Sequence, residues 1–206
     1  MQKKSQQELR HLLSAVSSPI KIQEFLDSIP YNSTDRTLSP LMVMREHMAH
    51  CMDGGLFAAS ALRHLGYPPL IVDLSAENDD DHIIAVFREG SCWGAIAKSN
   101  TTVLRFREPV YRSLRELAMS YFDLYYNLNS QKTLRSYSRI IDLSRFDDQK
   151  WETTEKDLAF IGEYTYRVRH YPLITAGQAR VLNNVPKYLF DAGFMGADIN
   201  GLFKPV

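Results

Sequence analysis

Residues 51–65 are apolar nearly all the way round a helical projection. Leu56, Ala59, Leu62 and Leu65 mark one face, and Phe57, Ala58 and Ala61 fill the turns between them. A helix without a polar side has to be covered on every side, so the rest of the chain must supply the layers that cover it. Gly66 stops this helix, and Pro68 with Pro69 forbids its continuation. The next residues suit a sheet. Residues 70–74 are a short apolar run fit for a buried strand, and after the acidic loop 75–81 two strands follow at 82–87 and 92–97. Arg88, Glu89, Gly90 and Ser91 form the turn between them. A buried helix packed on a small antiparallel sheet, with additional helices, predicts an α+β fold.

The flanking segments read as more helix. Leu9, Leu12, Leu13 and Val16 recur at three and four, as do Ile22, Phe25, Leu26 and Ile29 after the break at Ser17, Ser18 and Pro19. Residues 30–40 are polar and turn-rich. Ser39 and Pro40 open a further helix that runs towards Ala49. Glu108 and Pro109 open a helix carrying Leu114, Leu117, Ala118, Tyr121, Leu124 and Tyr125, and residues 151–169 form another behind Thr153 or Thr154. The expected organisation is a single domain over 1–206, with its core in 40–105 and a helical extension in 106–206 packed on that core.

Composition excludes several classes of function. Lys and Arg number 24, as do Asp and Glu, so no basic excess draws in nucleic acid or an anionic membrane. The apolar runs are too short to span a bilayer. The N-terminal stretch is amphipathic, without an apolar signal core, which makes a cytoplasmic location the expectation. Two cysteines, Cys51 and Cys92, are not a disulfide framework for a chain this long.

The chemistry concentrates where that central helix begins. Cys51 opens it, where the macrodipole and unpaired backbone N–H groups favour a thiolate. His82 opens the strand after the acidic loop, placed to take the thiol proton and return it to a leaving group. Gly54 and Gly55 are costly inside a helix, by roughly 1 kcal/mol each, and imply that another backbone or a substrate passes close by. For the group that orients His82, two registers are open. A two-residue turn at Glu89 and Gly90 pairs His82 with Ala97 and makes Ser99 the diagonal neighbour. A bulge at Gly90 pairs it with Lys98 and brings Asn100 onto that face. Either Ser99 or Asn100 could hold the imidazole. His47, His50 and Cys51 lie near one another in sequence, but no second cysteine pair or carboxylate cluster completes a zinc site, and no cofactor is implied. Asp79, Asp80 and Asp81 lack the spaced oxygens of a calcium loop and read as a solvated acidic loop. Cys92, beside Trp93 in a strand, reads as packed.

Cys51 before a small-residue helix, the exit through Leu62, Arg63, His64, Leu65, Gly66, Tyr67 and Pro68 into the 70–74 strand, His82 opening a strand and Trp93 in the next resemble the transglutaminase-like superfamily, whose core is papain-type. The resemblance covers residues 40–105, and the helix expected after Pro109 resembles a bacterial branch of it. It implies a thiol enzyme that hydrolyses or transfers amide or ester bonds of a peptide, amide or ester substrate through an acyl-thioester on Cys51. The superfamily places an Asp about where Ala97 or Lys98 stands, so the usual Cys–His–Asp triad is incomplete and a Cys–His–Asn set could stand in for it. The alternative is a catalytically inactive domain serving as a binding or scaffolding module. Phe190, Phe194 and Phe203 in the tail support it, as an apolar surface for a homodimer.

Overall fold

Helix α4 (Cys51–His64) is as enclosed as its sequence requires. In the computed structural model, which describes residues 2–205, every residue from Asp53 to Leu62 is buried. Helices α1 (Gln2–Leu13), α2 (Pro19–Ser28) and α3 (Pro40–Glu46) pack against it, and strands β1 (Leu70–Ala76) and β2 (His82–Glu89) close another side. The two helical glycines mark the closest approach. A Cβ on Gly54 would overlap the Lys98 side chain, and one on Gly55 would overlap Ile83. The expected close passage is therefore made by the sheet and the segment just beyond it.

Among the described residues the sheet has seven strands. Besides β1 and β2 these are β3 (Cys92–Ile96), β4 (Arg107–Tyr111), β5 (Leu134–Ser138), β6 (Ile141–Asp142) and β7 (His170–Pro172). Their order is β4-β3-β2-β1-β5-β7, with β6 pairing β1 beside β5, and every pairing is antiparallel. The fold is α+β. Alternation along β2 separates two cores. Ile83, Ala85 and Phe87 join the cluster around α4, whereas Ile84 and Val86 join one built with Leu117, Ala118, Tyr121, Tyr125 and Leu134.

Beyond residue 106 the structure departs from expectation. Instead of a helical extension, the stretch supplies four of the seven strands, β4 to β7. Pro109 does not open a helix. It lies in β4, a terminal strand of the sheet, where a missing N–H is tolerated. The helix starts later, as α5 (Leu114–Met119), with Ser113 Oγ accepting from the Glu116 N–H, and a 3-10 turn (Phe122–Leu124) follows. In the 151–169 stretch only α6 (Ala159–Arg167) is α-helical, and Trp151 instead plugs the core, its indole N–H donating to Asp147. Helix α3 stops at Glu46 because His47 adopts a left-handed conformation at its C-cap (φ 56°).

The hairpin register also differs from both expected versions. Glu89 pairs with Cys92, so Gly90 and Ser91 form the two-residue loop, with Gly90 supplying the positive φ of 58° that its first position needs. The β2–β3 ladder ends at the pair Ala85 and Ile96. Beyond it the chain is drawn towards α2. The buried Gln23 amide donates to Ala97 O and accepts from Ala97 N–H, and the Lys98 ammonium donates to Leu26 O and Ile29 O at the helix end. Burial pushes that lysine down to about 8.

Candidate active site

Cys51 is the first residue of α4, and His50 caps the helix. His50 Nδ1 accepts from the N–H groups of Met52 and Asp53, and the Asp53 carboxylate accepts from the His50 N–H. This is a capping box with histidine in place of serine or threonine, and the sequence reading did not identify it. Asp53 is fully buried and also accepts from Asn32 and from the Leu38 N–H. The Cys51 thiol donates to Asp81 O at 3.8 Å. Burial pushes it up to about 12, nearby Asp80, Asp53 and Asp73 add to this, and the Ile83 N–H opposes it. Burial thus works against the dipole-activated thiolate expected from the sequence. A helix terminus contributes about 0.3–1 kcal/mol to a nearby anion, too little against crowding by protein atoms and three carboxylates.

His82 is buried at the start of β2, on the face that carries Ile84 and Val86. Its Nε2 lies 2.9 Å from Leu104 O. A carbonyl can only accept, so Nε2 carries the proton and Nδ1 keeps a lone pair. Nδ1 makes no hydrogen bond among the described residues. The ring stands edge-on to Tyr125, at 6.4 Å between centroids. Burial pushes His82 down to about 4, Arg107 reinforces this, and the Leu104 carbonyl opposes it, so the ring is neutral at pH 7.

Cys51 and His82 line one cavity of about 70 Å³, together with Ser99, Asn100, Leu104 and Tyr125. No hydrogen bond joins them among the described residues. Neither candidate for the orienting group reaches the imidazole. Ser99 Oγ pairs with Thr101 Oγ1 and accepts from the Thr101 N–H. The Asn100 amide is engaged with the backbone of Asp198, donating to its carbonyl and accepting from its N–H, both at 2.8 Å. Leu104 O takes the orienting place, and no side-chain pattern could have announced it.

The acidic loop lines this cavity and is not simply solvated. Asp79 accepts from Thr133 Oγ1, and Asp81 accepts from the Ala76 N–H. Burial pushes both up to about 6. Among the described residues no three His, Cys, Asp or Glu side chains converge as a metal site. Cys92 is half-buried, its sulfur beside Ser91 Oγ.

A second cavity, of about 510 Å³, also borders Cys51 and is lined by Tyr31, His50, Asp73, Tyr166 and residues 200–203 among others. Asp73 is fully buried in β1, and its Oδ2 lies 3.0 Å from His170 Nε2. His170 Nδ1 lies 3.0 Å from Val168 O. An acceptor on each nitrogen favours the protonated ring, and the Asp73 carboxylate holds its pKa above the ordinary histidine value. Asp73 Oδ1 is buried without a hydrogen-bond partner among the described residues. The three tail aromatics are half-buried: Phe190 and Phe194 pack on Tyr126, and Phe203 lines both cavities.

No family model matches the chain, and no curated protein matches it. Fifteen chains of known structure do, among them calcium-bound LapG from Legionella pneumophila, at 15% identity and a TM-score of 0.36. That alignment covers 47% of this chain and 62% of LapG, so the chain matches less than two thirds of LapG's length. The likeness is too loose to define the arrangement of the core. Among the described residues no helix is long and apolar enough to cross a membrane.

Proposed function

We propose that the protein is a transglutaminase-like thiol enzyme that hydrolyses or transfers amide or ester bonds through an acyl-thioester on Cys51. The observation that carries this reading is the shared cavity: a free thiol at a helix start and a neutral histidine with an unused Nδ1 lone pair line the same small space. In the reaction His82 Nδ1 takes the thiol proton as sulfur attacks the acyl carbon, then delivers it to the leaving amine or alcohol. Water or an amine then attacks the thioester, and the thiol is restored. Leu104 O holds the tautomer this needs, the role asparagine has in papain-like sites. In this reading the Cys51 N–H, which faces the Tyr31 hydroxyl, is the backbone donor to the oxyanion.

A second reading has a specific observation behind it. The thiol sits at about 12, the imidazole at about 4, and no hydrogen bond links them, as in a binding domain that keeps the fold without turnover. Intact-mass spectrometry after mixing with a p-nitrophenyl acyl ester separates the two. The enzyme gains one acyl group that maps to Cys51, hydroxylamine removes it, and Cys51→Ala never acquires it. Acylation of Cys92 at the same rate, or none at Cys51, would favour the binding module.

A further inference from the structure

The segment after helix α7 (Lys187–Gly193) runs back over the site and includes a 3-10 turn (Ile199–Gly201). The loop that follows β3 anchors both the end of this helix and the segment. Thr102 Oγ1 donates to Ala192 O and the Thr102 N–H to Gly193 O. Asn100 binds Asp198 through both backbone groups. This is the pattern by which an amide reads a peptide backbone irrespective of its side chain. Three residues on, Gly201 presses against Tyr31. A Cβ there would lie 2.8 Å from the ring carbons Cδ1 and Cε1 and 3.1 Å from the Asn100 amide nitrogen. Leu202 and Phe203 then line both cavities that border Cys51.

We propose that the cleft beside Cys51 is a groove for a peptide that turns at a glycine against Tyr31, and that the chain's own residues 198–203 fill it as a tethered, competing ligand. This names the substrate class of the thiol site proposed above and rests on that reading for its chemistry, though not for its geometry. Asn100 supplies backbone recognition, and Tyr31 excludes any side chain at the central position. Leu202 and Phe203 occupy the walls of the space beside the sulfur. A peptide substrate gains entry when this segment lifts.

The test is alkylation of Cys51 in the full-length protein, followed by peptide mapping with Cys92 as the internal reference. Gly201→Val and, separately, Asn100→Ala are expected to raise the Cys51 iodoacetamide rate about tenfold or more, since the rate follows the open fraction, the valine clashes with Tyr31 in the closed state, and the alanine removes two closing hydrogen bonds. Amide hydrogen exchange over residues 198–205 should quicken in the same variants. A synthetic peptide of residues 197–204, added to Gly201→Val, should slow the labelling again, and the same peptide carrying Gly201→Val should not. Unchanged labelling in both variants, or equal protection by the two peptides, overturns the proposal. Acyl-thioester formation, measured alongside, keeps the two ideas separable. Faster alkylation without any thioester retains the groove and removes the enzyme. A thioester in the wild type with unchanged alkylation in both variants retains the enzyme and removes the tethered ligand.

Discussion

Two histidines open strands of the same sheet, and their surroundings give them opposite characters. His82, at the start of β2, is buried, and its polar contact is the neutral carbonyl of Leu104. His170, at the start of β7, is half-buried, with a carboxylate on one nitrogen and a carbonyl on the other. The first is pushed down to about 4 and the second is raised. A general base needs a lone pair as well as a position. His170 has committed both nitrogens to acceptors and can only hold charge, whereas His82 keeps one nitrogen open.

The largest consequence concerns catalysis. His82→Ala should slow Cys51 acylation by about 10²–10⁴-fold, the usual worth of a general base, and His170→Ala should leave it within about threefold. Stopped-flow measurement of p-nitrophenol release gives both rates. Comparable losses in the two variants would break the distinction.

Next in size is the pH dependence of stability. The folded His82 binds its proton only near pH 4, but unfolded it does so near 6.5, so its contribution is present above about 6.5 and lost as pH falls towards 4. That loss is on the order of 3 kcal/mol. His170 has the opposite sign: its contribution is complete below about pH 6.5 and fades as pH rises through the raised folded value. Asp79 and Asp81, at about 6 when folded, favour the native state as pH falls below that value and offset part of the His82 loss. Urea titrations between pH 4 and 8 should therefore show His82→Gln flattening the acid limb and His170→Gln flattening the limb above neutrality. A His82→Gln protein with the wild-type acid limb would contradict a neutral buried ring.

What could be read beforehand follows from how strongly each signal repeats. Helix α4 and strands β1 to β3 were legible because their apolar runs are long and punctuated by Gly66, the proline pair and Gly90. The register failed by the placement of one turn, since Gly90 occupies the first loop position and not the second. Strands β5 to β7 escaped because runs of two to five residues rich in Ser, Arg and Tyr carry no readable period. Within the site, Cys51 and His82 were visible as letters, but their protonation depends on burial by residues far along the chain. Leu104 acts through its backbone carbonyl, which every residue possesses. Asn100 was singled out for its amide chemistry, and that chemistry is used on Asp198, ninety-eight positions away.

The smallest expected effect isolates the carboxylate that makes His170 what it is. In Asp73→Asn the amide oxygen can still accept from His170 Nε2–H, so the ring stays in place and loses its counter-charge. The amide N–H₂ would then fall where Asp73 Oδ1 already lacks a hydrogen-bond partner among the described residues, a new unsatisfied donor worth about 1–3 kcal/mol of lost stability. Partial exposure of His170 limits what the lost ion pair adds. By ¹H–¹³C NMR titration of the histidine ring carbons, the His170 midpoint should drop towards the ordinary value while His82 stays near its depressed one. The asymmetry matters because Asp73 also lies close enough to Cys51 to raise its thiol, so the same variant should ease Cys51 ionisation slightly. If His82 moved together with His170, the two rings would belong to one coupled network spanning β1 and β2. The difference between a base and a structural cation would then lie in that network and not in the partner each ring happens to hold.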